Sequence, residues 1–237
     1  MSTEPRRPVA MVTAASQGIG LAIAQELARR GYAVSLLART ERVIDEAVKL
    51  GGIGTVGSVA APADLERFHQ ATVKRFGAVD AVVNNTGHPP KGDLLSISDD
   101  DWRTGTDLIL LNVIRLARLV VPEMQRRKKG AFVNVSAFVA DSPDLGYPVS
   151  STLRAGLSAF TKLFAQRYAA DNIRMNAVLP GFVDSYPVDA ARVASIPLGR
   201  YGRVGELAQT VAYLLSDESS FVTGQNLLVD GGMVRSI

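Results

Sequence analysis

The sequence predicts an α/β fold: a parallel, doubly wound sheet with helices on both faces. Three observations carry this. Strand-sized apolar runs alternate with helix-period segments along the whole chain. The first such pair, Pro8–Arg30, is joined by a glycine turn. The chain also lacks any linker, repeat or low-complexity stretch, so one domain spanning 1–237 accounts for its 237 residues.

In the first unit, Val9–Val12 is an apolar run of strand size and Thr13–Gln17 is small and polar. Gly18-Ile19-Gly20 then leads into Leu21, Ile23, Ala24, Leu27 and Ala28 at helical spacing. Strand, tight glycine turn and helix N-terminus together make a phosphate cradle. The glycines let the backbone approach the ligand, and the first helical N–H groups face the anion with the helix dipole behind them. Gly31 is the expected C-cap. Tyr32–Ala38 reads as a second buried strand ending at Arg39-Thr40. An acid there would bond an adenosine ribose 2′-OH, whereas an arginine accommodates a 2′-phosphate. Arg39 therefore favours NADP(H) over NAD(H).

Glu41–Leu50 is predicted helical, and Gly51–Val59 holds a turn and a weak third strand. Pro62–Phe76 reads as an amphipathic helix with Asp64 near its start and His69 on a partly exposed face. Asp80–Val83 begins a fourth strand, closed by Asn84-Asn85-Thr86-Gly87. His88 follows at the carboxyl end of that strand, where open α/β sheets bind ligands; it reads as a plain loop histidine. Ser98–Arg127 is predicted as one long helix, with Asp99–Asp101 at its start and Arg126–Lys129 and Gly130 at its end. That basic cluster reads as a helix end and not as a nucleic-acid patch. Ala131–Val135 is a fifth strand, Ser150–Ala169 a second long helix, and Ile173–Leu179 a sixth strand stopped by Pro180-Gly181. Gly205–Leu215 is a helix and Gln225–Val229 a seventh strand.

Composition narrows the chemistry. The net charge is +3 and the pI near 9.3, which favours neither disorder nor a nucleic-acid arm. With no cysteine and two histidines, disulfides, thiolate catalysis and Cys- or His-rich metal sites are excluded, and no carboxylate metal box is recognisable. No apolar run approaches the ~18 residues that would span a bilayer. Met1–Pro8 has no apolar signal core. The expectation is a cytoplasmic protein without a membrane partner.

These residues add up to a family resemblance. From about Val9 to Gly232 the chain resembles the short-chain dehydrogenase/reductases. The matching stretches are TAASQGIG (Thr13–Gly20, against TGxxxGxG), NNTG (Asn84–Gly87, against NNAG), IRMNAVLPGFVDS (Ile173–Ser185) and Pro197–Gly232, ending TGQNLLVDGG. The resemblance implies a seven-stranded Rossmann-like sheet, a small-molecule substrate, a bound NAD(P)(H) and a homodimer or homotetramer packed through the two long helices. It implies cofactor contacts from Thr13, Ala14, Ser16, Gln17, Gly18, Ile19 and Gly20, from Arg39, and from Asn85, Thr86 and Gly87. Further contacts are implied from Pro180, Gly181, Phe182, Val183 and Ser185.

The chain also departs from the family pattern. Ala14 replaces the first glycine, so the turn must tolerate a Cβ. Ser58 stands where an adenine-contacting aspartate is usual, and the segment from Ser185 to Ile196 is short for a substrate lid. The family normally uses a Tyr-x-x-x-Lys pair, a serine and an asparagine. Ungapped alignment puts Ser150 at the tyrosine, Arg154 at the lysine, Ala137 at the serine with Ser136 beside it, and Ile109 at the asparagine with Asn112 one turn on.

Such a set lacks a strong proton donor. Ser150 can donate a hydrogen bond, and Arg154 can hold a ribose and stabilise charge but cannot shuttle protons. The candidate catalytic residues are Arg154, Ser150, Ser136, Asn112 and Tyr147, with Tyr186 beside the short lid as another possible acid. The expected function is an NADP(H)-dependent oxidoreductase acting on a small or medium apolar substrate, at C=N, activated C=C or C=O, through a rearranged site. The alternative is a non-catalytic NADP(H)-binding subunit or redox sensor of the same fold.

Overall fold

The computed structural model describes residues 6–185 and 187–235. Its strands are β1 (Val9–Thr13), β2 (Ala33–Ala38), β3 (Ile53–Val56), β4 (Ala81–Asn84), β5 (Gly130–Val135), β6 (Ile173–Pro180) and β7 (Asn226–Val229). All pair in parallel in the order β3-β2-β1-β4-β5-β6-β7. The helices are α1 (Gly18–Arg29), α2 (Arg42–Lys49), α3 (Pro62–Phe76), α4 (Asp99–Thr106), α5 (Asn112–Arg127), α6 (Pro148–Tyr168), α7 (Ala190–Ala194) and α8 (Val204–Leu215).

The two sheet faces are separated by the period-two alternation of strand residues. Ala10, Val12, Val133 and Val135 pack with Ile23 and Leu27 of α1, Val43 of α2 and Leu207 and Val211 of α8. Met11, Val82 and Phe132 point the other way, against Phe68 of α3, Leu116 and Val120 of α5, and Leu157 and Phe164 of α6. Both faces are thus dry, which is why the strands read as nearly unbroken apolar runs. No helix among the described residues is long and apolar enough to cross a membrane.

The predicted helix over Ser98–Arg127 starts where expected, with Ser98 Oγ accepting the Asp101 N–H. It is not one regular α-helix. Asp107–Leu111 forms a π-helical turn between α4 and α5. Asn112 Nδ2 donates to the Leu108 carbonyl at 2.8 Å, taking up part of the hydrogen bonding that the wider turn disturbs. Apolar periodicity does not register such an inserted residue. The helix α6 begins at Pro148, two residues before the predicted start, because proline's missing N–H costs nothing at a first helical position.

Polar groups tie the sheet internally. Asn84 Nδ2 donates to Asn134 Oδ1 across the β4–β5 register pair at 2.8 Å, and Asn134 Nδ2 donates to Thr161 Oγ1 of α6 at 3.0 Å. At the opposite edge from the glycine turn, the buried Asp80 accepts from Val9 N–H at 2.8 Å, Arg127 Nη1 at 2.6 Å and Arg6 Nη2 at 2.7 Å. Burial pushes its carboxyl up, but these donors outweigh burial and hold it below the usual aspartate range. A depressed folded-state pKa contributes stability above the unfolded value, lost as pH falls through the folded one. Asp80→Asn should therefore cost about 1–3 kcal/mol at pH 7, and urea denaturation should show that difference shrinking in acid below pH ~4.

Candidate active site

β1 and β4 are neighbours from which the chain order runs outward in both directions, so a crevice opens beyond their carboxyl ends. Thr13 holds that edge together. Its hydroxyl donates to the Asn85 carbonyl at 2.7 Å and accepts the Asn85 N–H at 2.9 Å. Asn85 Nδ2 reaches back to the Ala14 carbonyl at 3.3 Å. Gly20 closes the third side. A Cβ there would run into the Ala14 carbonyl and lie 2.8 Å from Asn85 Nδ2.

The cleft over this turn has a volume of about 760 Å³. It brings together Ala14, Ser16, Gln17, Gly18, Ile19, Arg39, Asn85, Thr86, Gly87 and Ser185. Gln17 offers no side-chain cap to α1 and the first turn has no acid, so the helix presents its N-terminal N–H groups to the cleft. Arg39 is exposed at the rim and makes no ion pair among the described residues. Gly18 has φ +54°, and Ser185 lies directly over it. Ala14 has φ +48°, so the alanine in the family's glycine position is held in a left-handed conformation.

Thr13 and Gly20 lie behind the lining as its support. Pro180, Gly181, Phe182 and Val183 also stand back from the cleft. Pro180 pairs with Val229, Gly181 donates to the Val229 carbonyl, and Val183 is buried in a bridge to Gly202. Phe182 packs between Phe138 and Tyr201, with ring centroids 5.6 and 5.7 Å away, and Arg192 covers its ring.

The structure also enlists residues that sequence reasoning passed over. Leu21, Ala22 and Gln25 extend the α1 wall, a helical spacing visible from Gly18 onward. Thr40, Gly57 and Val59 close the Arg39 end, together with Ser58, which the sequence had already singled out there. Ser58 Oγ is turned to the Ala60 N–H at 3.2 Å, while its own N–H goes to Asp64. Leu108 reaches the cleft from the π turn. His88, read as a plain loop histidine, lines the other end; its place directly after the fourth strand's glycine was the signal.

Beyond His88 lies the candidate catalytic group. Arg154 is buried on α6. Its Nε donates to Ser150 Oγ at 3.0 Å and its Nη1 to the Val135 carbonyl at 3.0 Å. Burial lowers its pKa to about 10, so it stays a cation at neutral pH. Ser136, the next residue after Val135, keeps a buried hydroxyl without a hydrogen-bond partner among the described residues, as do Thr86 and Ser185. The His88 ring is held below its usual pKa, first by partial burial and then by the charges of Lys91 and Arg154. Asn112 is buried with its Oδ1 unpaired among the described residues. Tyr147 precedes α6 with the Lys91 ammonium 4.7 Å from its ring centroid. Neither Tyr147, Ser150, Arg154, Ser136 nor Asn112 is on the cleft lining itself. Tyr186 lies outside the described residues.

Residues 13–234 match the family profile described as Enoyl-(Acyl carrier protein) reductase. The chain belongs to the short-chain dehydrogenase/reductase family. It is 34% identical over 235 residues to the 3-oxoacyl-[acyl-carrier-protein] reductase FabG of Salmonella typhimurium, covering 95% of this chain and 96% of that one. The FabG of Staphylococcus aureus is 34% identical over 239 residues, covering 94% and 97%. Among solved structures, L-sorbose reductase from Gluconobacter frateurii, complexed with NADPH and L-sorbose, superposes with a TM-score of 0.93 at 28% identity, covering 100% of both chains.

The turn itself can be tested. Gly20→Ala should destabilise the protein by about 1–3 kcal/mol through forced overpacking. Ala14→Gly should be neutral or stabilising by up to about 1 kcal/mol, because relief at positive φ offsets the entropy that glycine adds to the unfolded chain. Thermal unfolding of both variants reads this contrast; a destabilised Ala14→Gly would show that the turn carries no strain.

Proposed function

We propose that this chain is an NADP(H)-dependent reductase of a small or medium organic substrate, working with a rearranged proton-donating apparatus. The observation that carries the reading is the cleft: a glycine turn too tight for a Cβ, an uncapped helix N-terminus and Arg39 at its far rim. This combination suits a dinucleotide whose 2′-position carries a phosphate. The relatives named as reductases, and the related sorbose reductase solved with NADPH, support the same assignment.

In this reading residues 16–20 hold the pyrophosphate, Arg39 the 2′-phosphate, and Asn85, Thr86 and Ser185 the remaining polar edges. The bound cofactor supplies hydride. The chain's own task is to orient the substrate and stabilise the negative charge that develops on it. Ser150 is a poor acid, but Arg154 holds its oxygen, which leaves the hydroxyl hydrogen free to point at a substrate atom. Ser136 adds a second hydroxyl. Together they form an oxyanion-stabilising group, suited to an activated C=C, a C=N or a C=O.

We further propose that copies pair through α5 and α6. Their outer faces form an apolar groove lined by Val121, Phe160 and Phe164, with Leu163 63% exposed beside it.

NADPH oxidation with a panel of ketones, conjugated enones and cyclic imines tests the reading. One class should turn over. Ser150→Ala should lower kcat/KM about 10-fold, and Arg154→Ala by about 100-fold or more, within the range for removing a charge-stabilising donor. Tight NADPH binding with no oxidation by any class would instead support a non-catalytic sensor or subunit.

A further inference from the structure

Ser150 and Arg154 by themselves suit a substrate that takes hydride and asks for no proton. A carbonyl asks for one: the carbon gains a C–H bond, the π pair moves to oxygen, and that oxygen must gain a proton. Among the described residues lining the cleft, three carry titratable side chains: Arg39, His88 and Asp184. A guanidinium holds its proton at any ordinary pH. Asp184 acts as an acceptor, its Oδ1 taking the Val204 N–H at 2.9 Å. That leaves His88, an imidazole, whose charge changes within the working range of pH.

Its place fits the task. His88 follows Gly87 a few residues past the carboxyl end of β4. It lines the end of the cleft away from Arg39, together with Leu108 of the π turn. A dinucleotide with its 2′-phosphate at Arg39 and its pyrophosphate at the α1 turn extends its nicotinamide toward that end. His88 is also exposed, so solvent can return a proton after each turnover. The charged and titratable groups around it come from three directions. Lys91 stands on the same loop and covers the ring of Tyr147, Arg154 lies on α6, and Asp184 lines the cleft beyond β6. Partial burial, and then Lys91 and Arg154, hold the ring below its usual pKa, which makes its protonated form a readier donor.

We propose that His88 is the proton donor of this site and that the substrate it serves is a ketone or an aldehyde. The proposal rests on the reading of the cleft as an NADP(H) site. As the carbonyl carbon takes hydride, the His88 imidazolium gives its N–H proton to the oxygen. The ring is left neutral and regains a proton from water. In the reverse direction the neutral ring takes the hydroxyl proton of the alcohol. Because only the imidazolium donates, reduction is lost as pH rises through the His88 pKa, and alcohol oxidation is gained over the same range.

Two measurements on the full chain test this. The first is histidine NMR, which has two histidines to resolve. Saturating NADPH should raise the His88 pKa, because an anion then lies against the ring, and should leave His69 on α3 unmoved. An unmoved His88 in the saturated protein overturns the proposal. The second is the pH profile of kcat/KM for butane-2,3-dione and benzaldehyde at saturating NADPH. It should fall about ten-fold per pH unit above the His88 pKa that NMR gives for the complex, and His88→Gln should lower the acid plateau about 100-fold and abolish that limb. Lys91→Gln should keep the limb and move it to higher pH, a shift that a purely structural histidine would not produce. If His88→Gln does not fold, the Lys91→Gln shift decides by itself. A limb that survives His88→Gln, a limb unmoved by Lys91→Gln, or no reduction of either carbonyl overturns the proposal while NADPH binding stands. Failure of NADPH to bind sinks the underlying cofactor reading as well.

Discussion

One hydroxyl, that of Thr13, joins the two strands between which the cleft opens. By donating to and accepting from the Asn85 backbone it fixes the ends of β1 and β4 relative to each other. The Gly20 contact can be as close as it is because Asn85 and Ala14 are held in place on either side. Remove that linkage and the first turn of α1 no longer aims its N–H groups at one point. The apolar layers on both faces supply most of the stability, but this small polar junction sets the geometry of the site.

The layered fold was legible because burial on both sheet faces imposes apolar strands and amphipathic helices that a single sequence displays directly. Pro62–Phe76 was read residue for residue, and the other boundaries moved by one or two positions at caps and turns. The π turn at Asp107–Leu111 was hidden because one extra backbone residue leaves the surrounding apolar spacing almost unchanged. The glycine-turn end of the cleft was legible for a similar reason: glycine turn chemistry is local in sequence. The opposite end was not, because His88 and Leu108 meet only through the packing of a loop and a π turn.

On the proposed reading, in which Ser150 and Arg154 stand at the positions of the family's tyrosine–lysine pair, their arrangement has internal logic. A small side chain at one position leaves room, and the longer, branched cation four residues on turns to donate to it. On that reading a titrating acid is traded for a fixed positive charge. Such a site stabilises an oxyanion well and supplies protons poorly, which shifts the chemical demand onto the substrate. Ala14 shows a parallel compromise: the backbone takes a left-handed turn although the residue there is not glycine.

The central claim is that Arg39 and the α1 turn bind a nicotinamide dinucleotide bearing a 2′-phosphate. Fluorescence titration of the wild-type chain and of Arg39→Asp with NADPH and NADH tests it most directly. The account predicts that the wild type prefers NADPH by ten-fold or more and that the variant loses most of its NADPH affinity while holding NADH nearly as before. Equal losses for both nucleotides, or no preference in the wild type, would contradict it.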